Sequence, residues 1–578
     1  MAPGPAFGWI LGLSNRLTRA VFPGLMPLAY AAGPAGSGVR AGAWFARLRS
    51  MNFTSFHFVA FFFVTILLGH VLQNRPRRLF LLAASYYFYG VFEPWYLVLI
   101  TSSTLWDYFA GLGIQERRRI EAGEAPGDGW ARHLAFFSPR AWLTTSLILN
   151  LGLLAYFKYT NFGIEVLNDV QPLGDSVFAW PATYILLPIG ISFYTFQSLS
   201  YTIDCYRGII KPRDSLLDFA LYVSFFPQLV AGPIVRAQTF FTRLDDPLPI
   251  TREDILVGTT RICVGFFRKL VLSDNLAPLV NGVFGGMARQ HGVEVPLLGP
   301  LDVWIGSLAF GWQIYLDFAG YTDIARGVAR LFGFEFEVNF LYPMAARNIA
   351  DHWRRWHISF GTWIRDYIYI PLGGSRGSSA RIYFNLFVTW LFGGIWHGPA
   401  YHFIAWGIWQ GVMLGAHREW SATRLHAWLH ADERPAWLAH LYGGFARFFL
   451  KFNLIFGFIW FRAENMDKAT LMQGRLFGFY DLSSAWSSFW SFGDGSLSTA
   501  AAHLARPENT SWLSSQYAPY IGVLILYYIY EYAFNRFQLE YFWKHENRGK
   551  LIVVLSLMIL SIIVFGSPET PNFMYFQF

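Results

Sequence analysis

Runs of about 18 or more apolar residues recur along the whole chain, and a stretch of that length with few charges is what a helix needs to cross a bilayer. One of them begins at Tyr383 and reaches His397 with no charged residue after Arg381. Of the 578 residues, 54% are hydrophobic and 14% charged, whereas soluble domains are about a quarter charged. The chain therefore reads as an all-α, polytopic integral membrane protein. Spans are expected near residues 53–73, 78–93, 95–113, 141–158, 183–204, 216–233, 301–332, 381–397, 399–417, 443–461, 516–534 and 550–566. Segments 251–285 and 347–372 carry more charge and read as amphipathic or re-entrant helices. Polar backbone survives at membrane depth only where protein buries it or water lines it, so the second segment marks a cavity.

The formal net charge of +8 does not point to nucleic acid, because the basic residues cluster at the ends of apolar runs. Arg75, Arg77 and Arg78, then Arg117, Arg118, Arg119, Arg132 and Arg140, then Arg207, Lys211 and Arg213 fall in alternate loops, which places all three on one side, read as the cytoplasm. The stretch 159–182 is acidic apart from Lys158 at its edge, as an outside loop should be. Cys205 and Cys263 provide no disulfide framework and no activated nucleophile. Residues 1–50 hold five arginines and no acid, and have no run long enough to span. They read as an extension that is removed, disordered or absent from a chain starting at Met51, with 51–578 as the membrane domain. The Ser/Gly-rich stretch 481–515 reads as an external loop.

His397 ends its apolar stretch in Trp396-His397-Gly398-Pro399, and His357 lies in Trp353-Arg354-Arg355-Trp356-His357. An ionisable group in hydrocarbon is costly enough to suggest function. With no Cys or acid at metal-ligand spacing, the two histidines suit acid/base chemistry better than a metal site. Pro399 suits the first turn of a following helix, whose positive end would favour a neutral His397 ring. In Leu187–Gly208, hydroxyls and small residues serve either as helix-to-helix bridges or as a polar lining for a hydroxylated substrate. Asp317 and Asp323, six positions apart, do not share a helix face. Asp323 is expected to pair with Arg326 one turn on, while Asp317 either packs or orients a histidine. Trp353, Trp356, His357 and Phe360 are expected on one face of a single helix. Arg354 and Arg355 then either anchor that helix at the interface or bind a phosphorylated donor. Gly373-Gly374-Ser375-Arg376-Gly377-Ser378 is a turn rather than a phosphate loop.

Several ordered blocks resemble one family. They are Leu187–Gly208, Phe225-Phe226-Pro227-Gln228-Leu229-Val230-Ala231-Gly232-Pro233-Ile234, Gly265–Lys269 with Asp274-Asn275-Leu276, Asp317–Asp323, Trp353–Ser359 with Arg365–Gly374, Trp396-His397-Gly398 and the final Tyr575-Phe576-Gln577-Phe578. Together they resemble the membrane-bound O-acyltransferase family, in its bacterial polysaccharide-acetylating branch.

The resemblance implies a ring of about 11–13 spanning helices, with re-entrant helices around a central funnel or tunnel. It implies His397 as the invariant catalytic histidine and His357 as the second one. It also implies an acyl-thioester donor such as acetyl-CoA, with no permanently bound cofactor and no metal. Acetyl groups would move from the cytoplasm towards an exported polysaccharide, alginate heading the candidates, or to a periplasmic acetyltransferase partner, across a bacterial inner membrane. His397 would act as general base while His357 orients the donor or stabilises the oxyanion. The rival readings are D-alanyl transfer to teichoic acid and a transporter or flippase without covalent chemistry.

Overall fold

The computed structural model describes residues 51, 53–125, 130–170, 185–247, 249–285, 300–431, 435–477, 548–567 and 573–574, with a few positions between 522 and 529. Residues 1–50, the stretch 481–515 and most of the expected span 516–534 lie outside them. Among the described residues every regular element is helical. The elements are α1 (Phe56–Val71), α2 (Asn74–Gly90), α3 (Tyr96–Glu121), α4 (Pro139–Val170), α5 (Ile191–Arg207), α6 (Leu216–Ser224), α7 (Phe226–Leu229), α8 (Ala237–Asp245), α9 (Arg252–Phe266) and α10 (Ala277–Gly285). They continue with α11 (Pro300–Leu331), α12 (Ile349–Arg355), α13 (Ile358–Ile364), α14 (Ser379–His397), α15 (Tyr401–Ala422), α16 (Arg424–Leu429), α17 (Ala436–Arg462), α18 (Met466–Leu476) and α19 (Arg548–Phe565).

Among the described residues two helices, α3 and α17, are long and apolar enough to cross a membrane by length and composition alone. Helices across the fold, these two included, carry polar groups inward and turn apolar side chains outward. Phe63, Leu67, Phe445, Phe448 and Ile563 are all more than 60% exposed, while Asp107, Ser146, Asn150 and Thr202 are at most 1% exposed. That inversion matches a hydrocarbon exterior. Within the polar interior, Asp107 on α3 accepts from Ser146 (2.5 Å) and Asn150 (2.9 Å) on α4 and from Thr202 (3.1 Å) on α5. The hydroxyl-rich α5 is thereby fixed to its neighbours, as the bridging reading of that segment expected for Thr202.

The three basic loops assigned to one side meet in space. Arg78 and Arg213 both bind Asp218, at 2.8 and 2.6 Å, and Arg213 also binds Asp245 at 2.5 Å. From the third loop, Arg118 donates to the carbonyls of Cys205 and Tyr206 at the end of α5.

The structure corrects three expectations, for 183–204, 216–233 and 347–372, and gives form to a fourth, for 251–285. The helix in 183–204 starts only at Ile191, after a left-handed Gly190. The stretch 216–233 is broken: α6 stops at Ser224, α7 is four residues long, and the chain returns through α8 to Asp245 beside Arg213. Segment 251–285 is a near-continuous helical run in which a π-turn at Phe267–Ser273 joins α9 towards α10. Segment 347–372 is two helices rather than one, because Trp356 is extended and His357 adopts φ 44°, ψ 54°. Its broken backbone is satisfied by the irregular stretch beside it, where Leu341 N–H donates to Arg355 O (2.9 Å) and Ile358 N–H to Asn339 O (3.0 Å).

Helix α14 is started by Ser378, whose hydroxyl accepts the Arg381 N–H, and packs closely on α15. A methyl on Gly394 would stand 2.8 Å from Gly407 Cα, and one on Gly407 would stand 3.0 Å from Gly394 Cα. Only paired glycines allow this crossing, which sets the position of the last turn of α14 and so of His397.

Candidate active site

His397 is the final residue of α14, 5% exposed, and Gly398 leaves the helix in an extended conformation before Pro399. The next helix, α15, is capped at Ala400 and begins at Tyr401, so Pro399 is not in its first turn. His397 therefore occupies the carbonyl end of one helix rather than the amide end of the next, and the expected helix-dipole argument for its ring does not apply. Aromatic rings surround the imidazole: Trp406 at 5.0 Å and Phe461 at 5.1 Å present edges, and Phe360 lies at 5.4 Å.

His357 is 1% exposed and held in the left-handed region, which a bulky side chain adopts only when its surroundings enforce it. Its Nδ1 lies 3.2 Å from Asn339 Oδ1, and the same oxygen accepts from Ser359 N–H (3.2 Å) and the Ser359 hydroxyl (3.0 Å). A backbone N–H only donates, so the Asn339 atom facing it is the oxygen. His357 must then donate from Nδ1, which in the neutral ring makes Nε2 the acceptor nitrogen. Ser359 in turn receives the Ile234 N–H at 3.1 Å, tying the Phe225–Ile234 block to the same network.

The two histidines share two rings, Phe360 and Trp396, the latter 6.2 Å from His357 and 4.9 Å from His397. Phe360 lies 5.1 Å from His357 and 5.4 Å from His397, and stacks on Trp396 at 4.5 Å. The stack continues through Phe196 to Trp363, 5.2 and then 3.8 Å between centroids. His397 also lines a cavity of about 40 Å³ together with Lys158, the stretch from Leu187 to Phe193, Val230 and Trp396. Gly190 belongs to this wall at φ 80°, where a methyl would meet Leu229 O at 2.8 Å. The Ser192 end of α5 thus borders the same cavity as His397.

The arginines are placed differently from the histidines. Arg355 Nε binds Asp351 at 2.9 Å and Nη1 donates to Leu341 O at 3.3 Å, while the Arg354 side chain is 71% exposed and 3.9 Å from the same carboxylate. Neither is among the cavity-lining residues. Asp317 does not orient a histidine through any observed contact: Lys269 binds it at 2.6 Å and Asp274 at 2.8 Å, and Asp317 Oδ2 accepts the Met574 N–H. Asp323 does approach Arg326, at 3.9 Å, but its short partner is Arg268 at 2.5 Å. Among the described residues no cluster of three or more His, Cys, Asp or Glu could hold a metal.

Sequence reasoning does not reach Asn339, nor the place of Phe360 between the two histidines, nor the buried role of Lys158. Lys158 reads in the sequence as a charge at the edge of an outside loop, yet it is 5% exposed and its ammonium donates to the carbonyls of Trp396 and His397. The available signal was its position inside a long apolar helix, where an ammonium demands a partner.

Comparison with known proteins places this geometry in a family context. The profile of MBOAT, the membrane-bound O-acyltransferase family, matches residues 210–450. The chain is 38% identical to the probable alginate O-acetylase AlgI of Azotobacter vinelandii, over 73% of this chain and 77% of that protein. It is 32% identical to the peptidoglycan O-acetyltransferase of Helicobacter pylori, over 68% and 72%. It is 28% identical to the teichoic acid D-alanyltransferase of Streptococcus thermophilus, over 44% and 61%.

Proposed function

The chain belongs to the membrane-bound O-acyltransferase family and is an integral membrane O-acyltransferase, and we propose that it transfers acetyl groups from a cytoplasmic thioester to an exported bacterial polysaccharide, with His397 as general base. The observation that carries this reading is a buried histidine at a helix end, bordering a cavity and packed through Phe360 against a second histidine of defined tautomer. Enzymatic membership removes the motive for the transporter reading.

In the proposed reaction His397 takes the proton of an acceptor hydroxyl as its oxygen attacks the thioester carbonyl carbon. The C–S bond breaks, and the imidazolium returns the proton to the departing thiolate, releasing a thiol and an O-acetyl ester. His357, with Nδ1–H committed to Asn339, presents an acceptor at Nε2 in its neutral form. That suits gripping an N–H or O–H of a substrate, and argues against the expected oxyanion role, which needs a donor. The donor is acetyl-CoA or a similar thioester, met from the cytoplasm, and the helices form a ring with a central tunnel across the inner membrane. A periplasmic acetyltransferase partner or the polysaccharide itself is the acceptor, with alginate favoured by the 38% identity and teichoic acid disfavoured by the 28%.

Ester-linked acetate on envelope polysaccharides, measured in a deletion strain and after complementation, tests the reading. Loss on deletion and recovery with the wild-type chain support it. Loss of ester-linked D-alanine with acetate unchanged would transfer the assignment to the teichoic acid branch.

A further inference from the structure

We infer that Lys158 and Tyr159 of α4 form a cross-helix cap that positions His397, an inference that rests on the general-base reading above. An α-helix leaves its last four carbonyls without intrahelical partners. In α14 these belong to Gly394, Ile395, Trp396 and His397. The Gly398 N–H takes the first at 3.4 Å. The Tyr159 hydroxyl donates to Ile395 O at 2.7 Å, and the Lys158 ammonium donates to Trp396 O and, at 3.2 Å, to His397 O. Two adjacent residues of another helix thus close three of the four open groups, including the carbonyl of the histidine itself.

Depth supports the pairing. Lys158 is 18 residues beyond Arg140 on α4 and His397 is 16 beyond Arg381 on α14, about 27 and 24 Å at 1.5 Å per residue. The ammonium lies 5.8 Å from the Trp396 ring centroid, so the ring and the two carbonyls together replace its lost water. A cation also complements the negative end of a helix. Packing alone would be served by an apolar side chain at lower cost, since charge inside a membrane protein is expensive. Terminal turns fray when uncapped, and the imidazole direction follows from the backbone of that turn. Lys158 also borders the same cavity as His397. It is a positioning residue, and Tyr159 assists it.

The test uses membranes of a deletion strain carrying the full chain, labelled acetyl-CoA as donor, and counts of acetate transferred to envelope polysaccharide. Misplacement of a catalytic group by about 1 Å costs about 100-fold. Lys158→Met is therefore expected to lower turnover by about 10- to 100-fold with KM for acetyl-CoA unchanged, at normal protein level and unfolding temperature. Lys158→Arg should recover much of the loss, and Tyr159→Phe should fall between Lys158→Met and wild type. Wild-type turnover in Lys158→Met, or a change confined to KM, would overturn the inference. Failure of both Lys158→Met and Lys158→Gln to accumulate would assign Lys158 to folding and overturn it equally. His397→Ala is run in parallel. If it still transfers acetate, the general-base reading falls and the cap falls with it; if it is silent while Lys158→Met matches wild type, only the cap is lost.

Discussion

Asp317 accepts the backbone N–H of Met574 at 2.9 Å, joining the middle of α11 to a residue 257 positions later. The neighbouring Phe573 ring packs on Tyr321 at 4.7 Å and on Phe318 at 5.7 Å, and Phe318 meets His357 edge-on at 4.7 Å. The acceptor is a carboxylate already bridged to Asp274 by the Lys269 ammonium. Both carboxylates are about 1% exposed. Lys269→Met would leave two buried carboxylates without their cation, a change that costs about 3–5 kcal/mol. Its unfolding temperature in detergent should fall sharply. Asp317→Asn keeps an acceptor for Met574 and leaves a neutral Lys269–Asp274 pair, so it should stay close to wild type. Equal loss in both variants would show that the charge balance is not what holds this cluster.

His397→Ala should abolish acetate transfer, since a positioned general base contributes about 10²–10⁴-fold. The protein should still insert and accumulate, because the ring's neighbours are aromatic and tolerate a small cavity. Polysaccharide acetylation measured beside protein level separates these effects. His357→Ala should lose most activity but less than His397→Ala, and full activity would reduce it to a packing residue.

Asn339→Ala removes one oxygen that serves three donors on His357 and Ser359. Leaving buried donors without an acceptor costs about 1–3 kcal/mol each. The variant should lose thermal stability and acetyl transfer together. Normal activity would mean that the His357 tautomer does not matter for turnover.

Gly394→Ala introduces a methyl where Gly407 Cα lies 2.8 Å away. Overpacking of this kind costs about 1–3 kcal/mol. Since His397 is three residues further along the same helix, activity should drop more than stability does. A fully active variant would show that α14 and α15 separate without moving the histidine.

Arg354 and Arg355 should separate on substitution, because only Arg355 is held closely to Asp351. Arg355→Gln should lower stability. Arg354→Gln should raise KM for acetyl-CoA if its exposed guanidinium meets the donor's phosphates. Unchanged donor titration in Arg354→Gln leaves both residues as helix anchors.

Membrane class, helical fold and the candidacy of His357 and His397 could be read from the chain alone, because each depends on a local property. Apolar run length meets bilayer thickness, and an ionisable ring in an apolar run is costly wherever it occurs. The places where reading along the chain failed are breaks and partners. The turn at His357 exists because the backbone at Asn339 and Leu341 offers it hydrogen bonds, and α6 stops short because the chain doubles back to place Asp245 beside Arg213. Lys158 looked like an edge charge until α14 placed the carbonyls of Trp396 and His397 on it, 238 and 239 positions away. Buried polar groups must be satisfied, but which distant group satisfies them is decided only when the helices pack.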